Sequence, residues 1–188
     1  MAAQPTRLMP TAVRRLALAA HLTASVGWIG AVVAYLALDL TVATSRDLAV
    51  TRAAWMAMWM LTASVLIPLA LASLVTGLVM ALGTRWGLVR HWWVVISLLL
   101  TVGATGVLLS EAGVIAERAA MAADPRTSAE HLLAMPSTLP HSLGGLGVLL
   151  AILVLNVYKP QGLTPFGWQA LQDARSRHDR RREIGRTA

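Results

Sequence analysis

No cysteine occurs in this chain of 188 residues. Disulfides, thiolate metal centres, iron–sulfur clusters and covalently attached c-type haem are therefore excluded. Charge is scarce as well. Asp, Glu, Lys and Arg make up 13% of the residues, against about 25% in a soluble domain, and they cluster between long apolar runs. The sequence also lacks a nucleophile–base–acid set, a glycine-rich phosphate loop and an HExxH motif, so nothing in it points to a hydrolase or a kinase. It contains no internal repeat.

Apolar residues dominate instead. They form 56% of the chain, and the mean hydropathy is +0.63. Long apolar runs with charges at their edges are the pattern of a polytopic helical membrane protein. The expected fold is all-α: a single four-span membrane domain over residues 1–160, built as a four-helix transmembrane bundle, and a basic tail over 161–188. The spans fall near residues 16–38, 54–82, 92–110 and 142–158. The formal net charge of +7 sits beside these spans, so membrane topology and anionic lipid at the tail explain it better than nucleic acid. Residues 1–15 resemble the basic start of a signal peptide, but the apolar run that follows exceeds a 7–15-residue signal core. It is expected to stay as the first span.

The first span carries a line that is not apolar. At 100° per residue, His21, Ser25, Trp28, Val32, Tyr35 and Asp39 fall within about 40° of one line. A polar group facing acyl chains goes unpaired, so this line should turn toward protein. Pro68, in the middle of the second span, predicts a kink. Between spans 3 and 4, the alanine-rich stretch 112–123 and the capping box Thr127-Ser128-Ala129-Glu130 predict short helices that lie at the membrane surface or cap the bundle, the second stopped by Pro136. Glycines in spans 1, 3 and 4 read as points of close helix approach. Ser97, Thr101 and Thr105 form a hydroxyl stripe that is expected to bond the carbonyls one turn back.

Orientation follows from the asymmetry of basic residues. Arg7, Arg14, Arg15, Arg85, Arg90, Lys159 and the six tail arginines share one side. Arg46, Arg52, Arg118 and Arg126 lie on the other. Both termini are therefore expected in the cytoplasm of a cell whose plasma membrane holds the protein. Trp86, Trp92 and Trp93 then mark the inner boundary, and Trp55 and Trp59 the outer one.

Two groups of residues could carry chemistry. His21 lies inside hydrocarbon depth, and imidazole suits a haem ligand, a metal or a proton relay. Its ordinary role is a hydrogen bond to a neighbouring helix. A bis-histidine haem b would need His91, which stands about five residues, roughly 7 Å, shallower. At the outer ends of spans 1, 3 and 4 stand Asp39, Glu111 and His141, with Glu130 and His131 on the outer loop. This thiolate-free set suits Zn²⁺ or Cu²⁺, although charges at span ends also arise wherever helices leave lipid.

Three stretches carry a resemblance. They are His21-x6-Trp28-x-Gly30; His141-Ser142-Leu-Gly144-Gly145-Leu with Val157-Tyr158-Lys159-Pro160-x-Gly162-Leu-Thr164-x-Phe166-Gly167; and Trp86-Gly87-Leu88-x-Arg90-His91-Trp92-Trp93. Together, over residues 14–168, they resemble small actinobacterial four-span integral membrane proteins of unknown function. The first-span motif is also similar to that of copper-resistance D-type membrane proteins, which implies copper import. The reading that the residues favour is a non-enzymatic membrane protein, an accessory subunit or a small transport-related module, with a second copy or a membrane subunit as partner. The competing readings are a haem b redox protein using His21 and His91, and copper or other divalent-metal handling at the outer cluster.

Reporter fusions check the topology. A reporter on the tail and one in the 39–52 link should report opposite sides of the membrane; the same side for both would overturn it.

Overall fold

The computed structural model describes residues 9–84 and 87–187, the last ten of these without their side chains. Arg7, Arg85, Trp86 and the side chains of Arg180, Arg181, Arg182 and Arg186, which bear on the topology and the tail, lie outside the described residues.

Four helices are long and apolar enough to cross a membrane, as expected of a multi-pass membrane protein, and the architecture is all-α. Helix α1, Thr11–Thr44, starts directly after Pro10 and has 34 residues. At 1.5 Å per residue it is about 51 Å long, more than the roughly 30 Å of a hydrocarbon core. The second span is continuous from Leu48 to Gly83. It opens as α2, Leu48–Leu61, capped by Asp47, whose carboxylate accepts from the backbone N–H of Ala49 and Val50 at 2.8 and 3.3 Å. It continues through a π-helical turn, Thr62–Leu66, into α3, Ile67–Gly83.

The π turn is how the chain accommodates Pro68. Proline brings no N–H to the helical ladder and crowds the preceding turn. The Ile67 N–H reaches back to Thr62 O, one residue further than in an α-helix, which inserts a residue where the ring needs room. The Thr62 hydroxyl donates to Met58 O at 2.7 Å and keeps that carbonyl paired.

Helix α4, Trp92–Ala123, has 32 residues. The alanine-rich stretch expected as a separate short helix is instead its uninterrupted continuation. Ile115, Ala119 and Ala122 bury against the bundle, and that contact carries the helix on past Glu111. The short helix that does form is α5, Ala129–Ala134, capped by the hydroxyl of Ser128 rather than Thr127. Helix α6, Leu139–Tyr158, is the fourth span; Lys159, in the left-handed region at φ 45°, ends it. Helix α7, Pro165–Thr187, carries the basic tail.

The spans alternate in direction. α1 packs on α2, α3 and α6, and α4 packs on the same elements from the other side, which closes a four-sided bundle. Its surface is inverted relative to a soluble protein. Leu22, Val26, Val33, Leu71, Val75, Leu99, Val102 and Val154 are exposed, whereas Asp39, Thr51 and Thr62 are almost fully buried. Trp28, Tyr35 and Asp39 on the polar line of α1 are buried, and His21, Ser25 and Val32 are partly so.

Two expectations change. Trp55 is no boundary anchor: it is fully buried, with the Arg118 guanidinium 5.2 Å above its ring. Most glycines do not mark helix contacts. A Cβ at Gly30, Gly103, Gly106, Gly144, Gly145 or Gly147 would meet open space, while Gly27 faces Leu69. Within the spans a close helix–helix approach does occur at Gly77, where a Cβ would stand 3.1 Å from the His21 ring.

Asp39 closes the end of the bundle remote from the chain termini. Its Oδ1 accepts the Thr138 N–H at 2.9 Å, and its Oδ2 accepts the Thr138 and Ser142 hydroxyls at 2.9 and 2.8 Å. Because the Thr138 proton goes to Asp39, the Tyr35 hydroxyl is the donor in its 2.9 Å bond with Thr138 Oγ1. A carboxylate of α1 therefore serves the first turn of α6, where helix N-termini favour negative charge.

Hydrogen bonds to a charged group contribute about 1.5–3 kcal/mol each, and leaving their donors buried without a partner is costly. Asp39→Ala should lower stability by about 3 kcal/mol in unfolding of the detergent-solubilised protein, and Asp39→Asn, which keeps an acceptor, by clearly less. Wild-type stability in both would show that the lock is not structural.

Candidate functional site

At the other end the bundle does not close. A cavity of about 860 Å³ lies among α1, α3, α4 and α6. A water occupies about 30 Å³, so this is no packing defect; it lies within the roughly 300–1,000 Å³ of small-molecule sites. Trp28 and Leu149 line it and also belong to the buried core, so they form its floor.

The polar strip of its wall is built residue by residue from helix periodicity. On α1, His21 and Ser25 are one turn apart; on α3, Ser73 lines the cavity opposite them, and Thr76, which does not line it, pairs with His21. His21 Nδ1 lies 3.1 Å from the Thr76 hydroxyl, and the Ser25 and Ser73 hydroxyls are 2.9 Å apart. Gly77 gives the His21 ring its room. On α4, Thr101 and Thr105 donate to the carbonyls of Ser97 and Thr101 at 2.7 and 2.8 Å, the expected pattern. Asn156 of α6 donates to Ile152 O at 2.8 Å and reaches Ser97 Oγ at 3.4 Å. Ser73, Gly77 and Asn156, which complete this wall, escaped the sequence reading. Their signal is present, as small or polar residues inside apolar spans, but the face they occupy is not.

Arg14, Arg15 and Lys159 complete the lining, and no carboxylate is among the described residues that line it. The cavity also reaches the apolar surface, because Leu22, Val26 and Leu153 are among its walls and are exposed.

His91 is placed differently from His21. It precedes α4 and pairs with Leu163 in an isolated antiparallel bridge. Around it, Trp92 N–H donates to Gly162 O at 3.2 Å, Thr164 N–H to Arg90 O at 3.1 Å, and the Thr164 hydroxyl to Val89 O. Gly167 seats against Arg90 O so closely that a Cβ would collide with it. Two stretches quoted for the resemblance, around Arg90-His91-Trp92 and Gly162-x-Thr164, thus form one strap that fixes α7 beside the start of α4. His91 is not among the residues lining the cavity.

The candidates at the closed end also separate. Asp39 is engaged by Thr138 and Ser142. Glu111 and His141 come together at 3.7 Å, both accessible to solvent. Exposed Glu130 and His131 belong to α5. Among the described residues no three His, Asp or Glu side chains converge as a metal site requires. Two of the outer cations act within the fold. Arg52 donates to the carbonyls of Ala122, Asp124 and Thr127 at 2.6–2.9 Å, closing the C-terminus of α4, and Arg118 donates to Pro136 O at 2.8 Å.

In comparisons with known proteins, no family model, no curated protein and no solved structure matches the chain.

With one imidazole on the cavity and the other in the strap, the purified protein is expected to show no Soret band. A b-type difference spectrum that disappears in His21→Ala would reinstate the haem reading.

Proposed function

We propose that this protein is a non-enzymatic, multi-pass plasma membrane protein with cytoplasmic termini. Its working part is the cavity, which holds a small ligand inside the bilayer, and the protein acts as a small transport-related module or as the accessory subunit of one. The observation that carries the reading is a largely apolar cavity of ligand size, with a polar strip through His21, Ser25, Ser73, Ser97 and Asn156, at the end of the bundle that bears Arg14, Arg15 and Lys159. The distribution of basic residues supports placing that end in the cytoplasm. The apolar outer surface supports a lipid environment, and the Thr76 hydroxyl beside His21 gives its proton to Ala72 O at 2.6 Å and not to the imidazole, which fits binding better than nucleophilic catalysis.

The cysteine-free chain makes access measurable. A thiol reacts as its thiolate, which requires water. The Ser97→Cys variant, with its thiol on the cavity wall, should react with a small anionic methanethiosulfonate added to inside-out vesicles. Thr105→Cys, buried two turns further on, should stay silent. An unreactive Ser97→Cys variant would end the cavity reading.

A further inference from the structure

We infer that the cavity takes an amphiphile with an anionic head group, the head toward Arg14, Arg15 and Lys159 and the apolar chain toward Trp28 and Leu149. This deepens the ligand-binding reading above and rests on it.

Charge excludes the first alternative. Three basic residues border the cavity and no carboxylate lies among its described lining residues. A low-dielectric cleft lined by one sign of charge concentrates the opposite sign and repels its own, so a metal cation or an organic cation is the wrong occupant. Guanidinium groups suit phosphate or carboxylate oxygens, which they can meet two at a time.

Hydrogen bonding excludes the second. The wall is largely apolar and the hydroxyls it does carry are engaged: Ser25 donates to His21 O at 2.7 Å and pairs with Ser73 at 2.9 Å, and Thr101 donates to Ser97 O at 2.7 Å. A sugar or a nucleoside would bring many donors and acceptors to a wall with few left to offer, and each unpaired group would count against binding. An alkyl or isoprenoid chain asks for none.

Access points the same way. Exposed Leu22, Val26 and Leu153 among the walls connect the cavity to the apolar surface of the bundle, and the basic residues stand at the chain-terminal end of α1 and α6. An amphiphile already lying in a leaflet, head at the interface and chain in hydrocarbon, matches both openings without turning over. The positive-inside rule by itself accounts for basic residues at this end, but not for a cavity of about 860 Å³ beside them.

The test uses the full chain in a neutral maltoside detergent with dodecyl phosphate as the probe. Saturating probe should raise the unfolding temperature by about 4–8 °C. Inorganic phosphate alone and dodecanol alone should each produce less than a quarter of that rise. Arg14→Gln/Arg15→Gln, at exposed positions, should at least halve it, and Ala81→Trp, which fills the cavity from α3, should abolish it. Ser97→Met fills it from α4 and replaces Ala81→Trp if that variant does not fold. No rise with dodecyl phosphate overturns the inference. So does an equal rise with inorganic phosphate, which would mean a site for a free anion, or with dodecanol, which would mean a merely apolar hole. A full rise in the folded cavity-filled variant also overturns it, because the probe would then sit on the basic tail. A reactive Ser97→Cys variant without a dodecyl phosphate effect sinks this inference alone; an unreactive one sinks both readings.

Discussion

The carboxylate of Asp39 against the start of α6 is the contact on which the shape of the bundle turns. In an apolar surrounding, a charged group and a helix N-terminus are each costly until they find partners. Here each satisfies the other, across 99 residues of sequence, and Tyr35 and Ser142 complete the set. This fixes the register and separation of the first and last spans at one end. Trp55, Met58 and Leu132 pack fully around the same end, and Arg52 and Arg118 tie α4 and the loop after it into place.

With one end locked, the other is free to diverge. The residues that meet there are small or polar: Ser25, Ser73, Gly77, Ser97 and Asn156. They hydrogen-bond locally but do not fill space, so four helices that touch at the far end enclose a cavity at this one. The strap between residues 162–167 and 89–92 holds the start of α4 and the start of α7 together beside it. Tight closure and open cavity are thus two consequences of one asymmetric distribution of side-chain volume and polarity.

Much of the scaffold is legible in the primary structure. The spans, the inward line from His21 to Asp39 and the back-bonding of Thr101 and Thr105 all follow from periodicity or local sterics; at Pro68, where a kink is expected, the structure shows a π-helical turn. The misreadings share a cause. The stretch 112–123 reads as a separate short helix because its composition is intermediate; burial of Ile115, Ala119 and Ala122 against neighbours decides otherwise. For Trp55 and the glycines of α4 and α6 the sequence offers only residue type, yet whether a residue faces a helix or open space depends on where the next helix lies. Asp39 and His141 look alike as polar residues at span ends, but Asp39 is sealed by Thr138 and Ser142 while His141 is exposed beside Glu111.

The amino-acid order by itself determined the class of molecule, the number of its spans, and which side of the first helix must hide. These are properties of hydropathy and of the 100° step, both written along one dimension. Only the tertiary structure decided which polar groups satisfy one another, where volume is left empty, and that His21 borders that space while His91 does not. Those outcomes depend on the relative register of helices far apart in the chain. A helical period fixes which residues share a face, but not which face of which neighbour will oppose it.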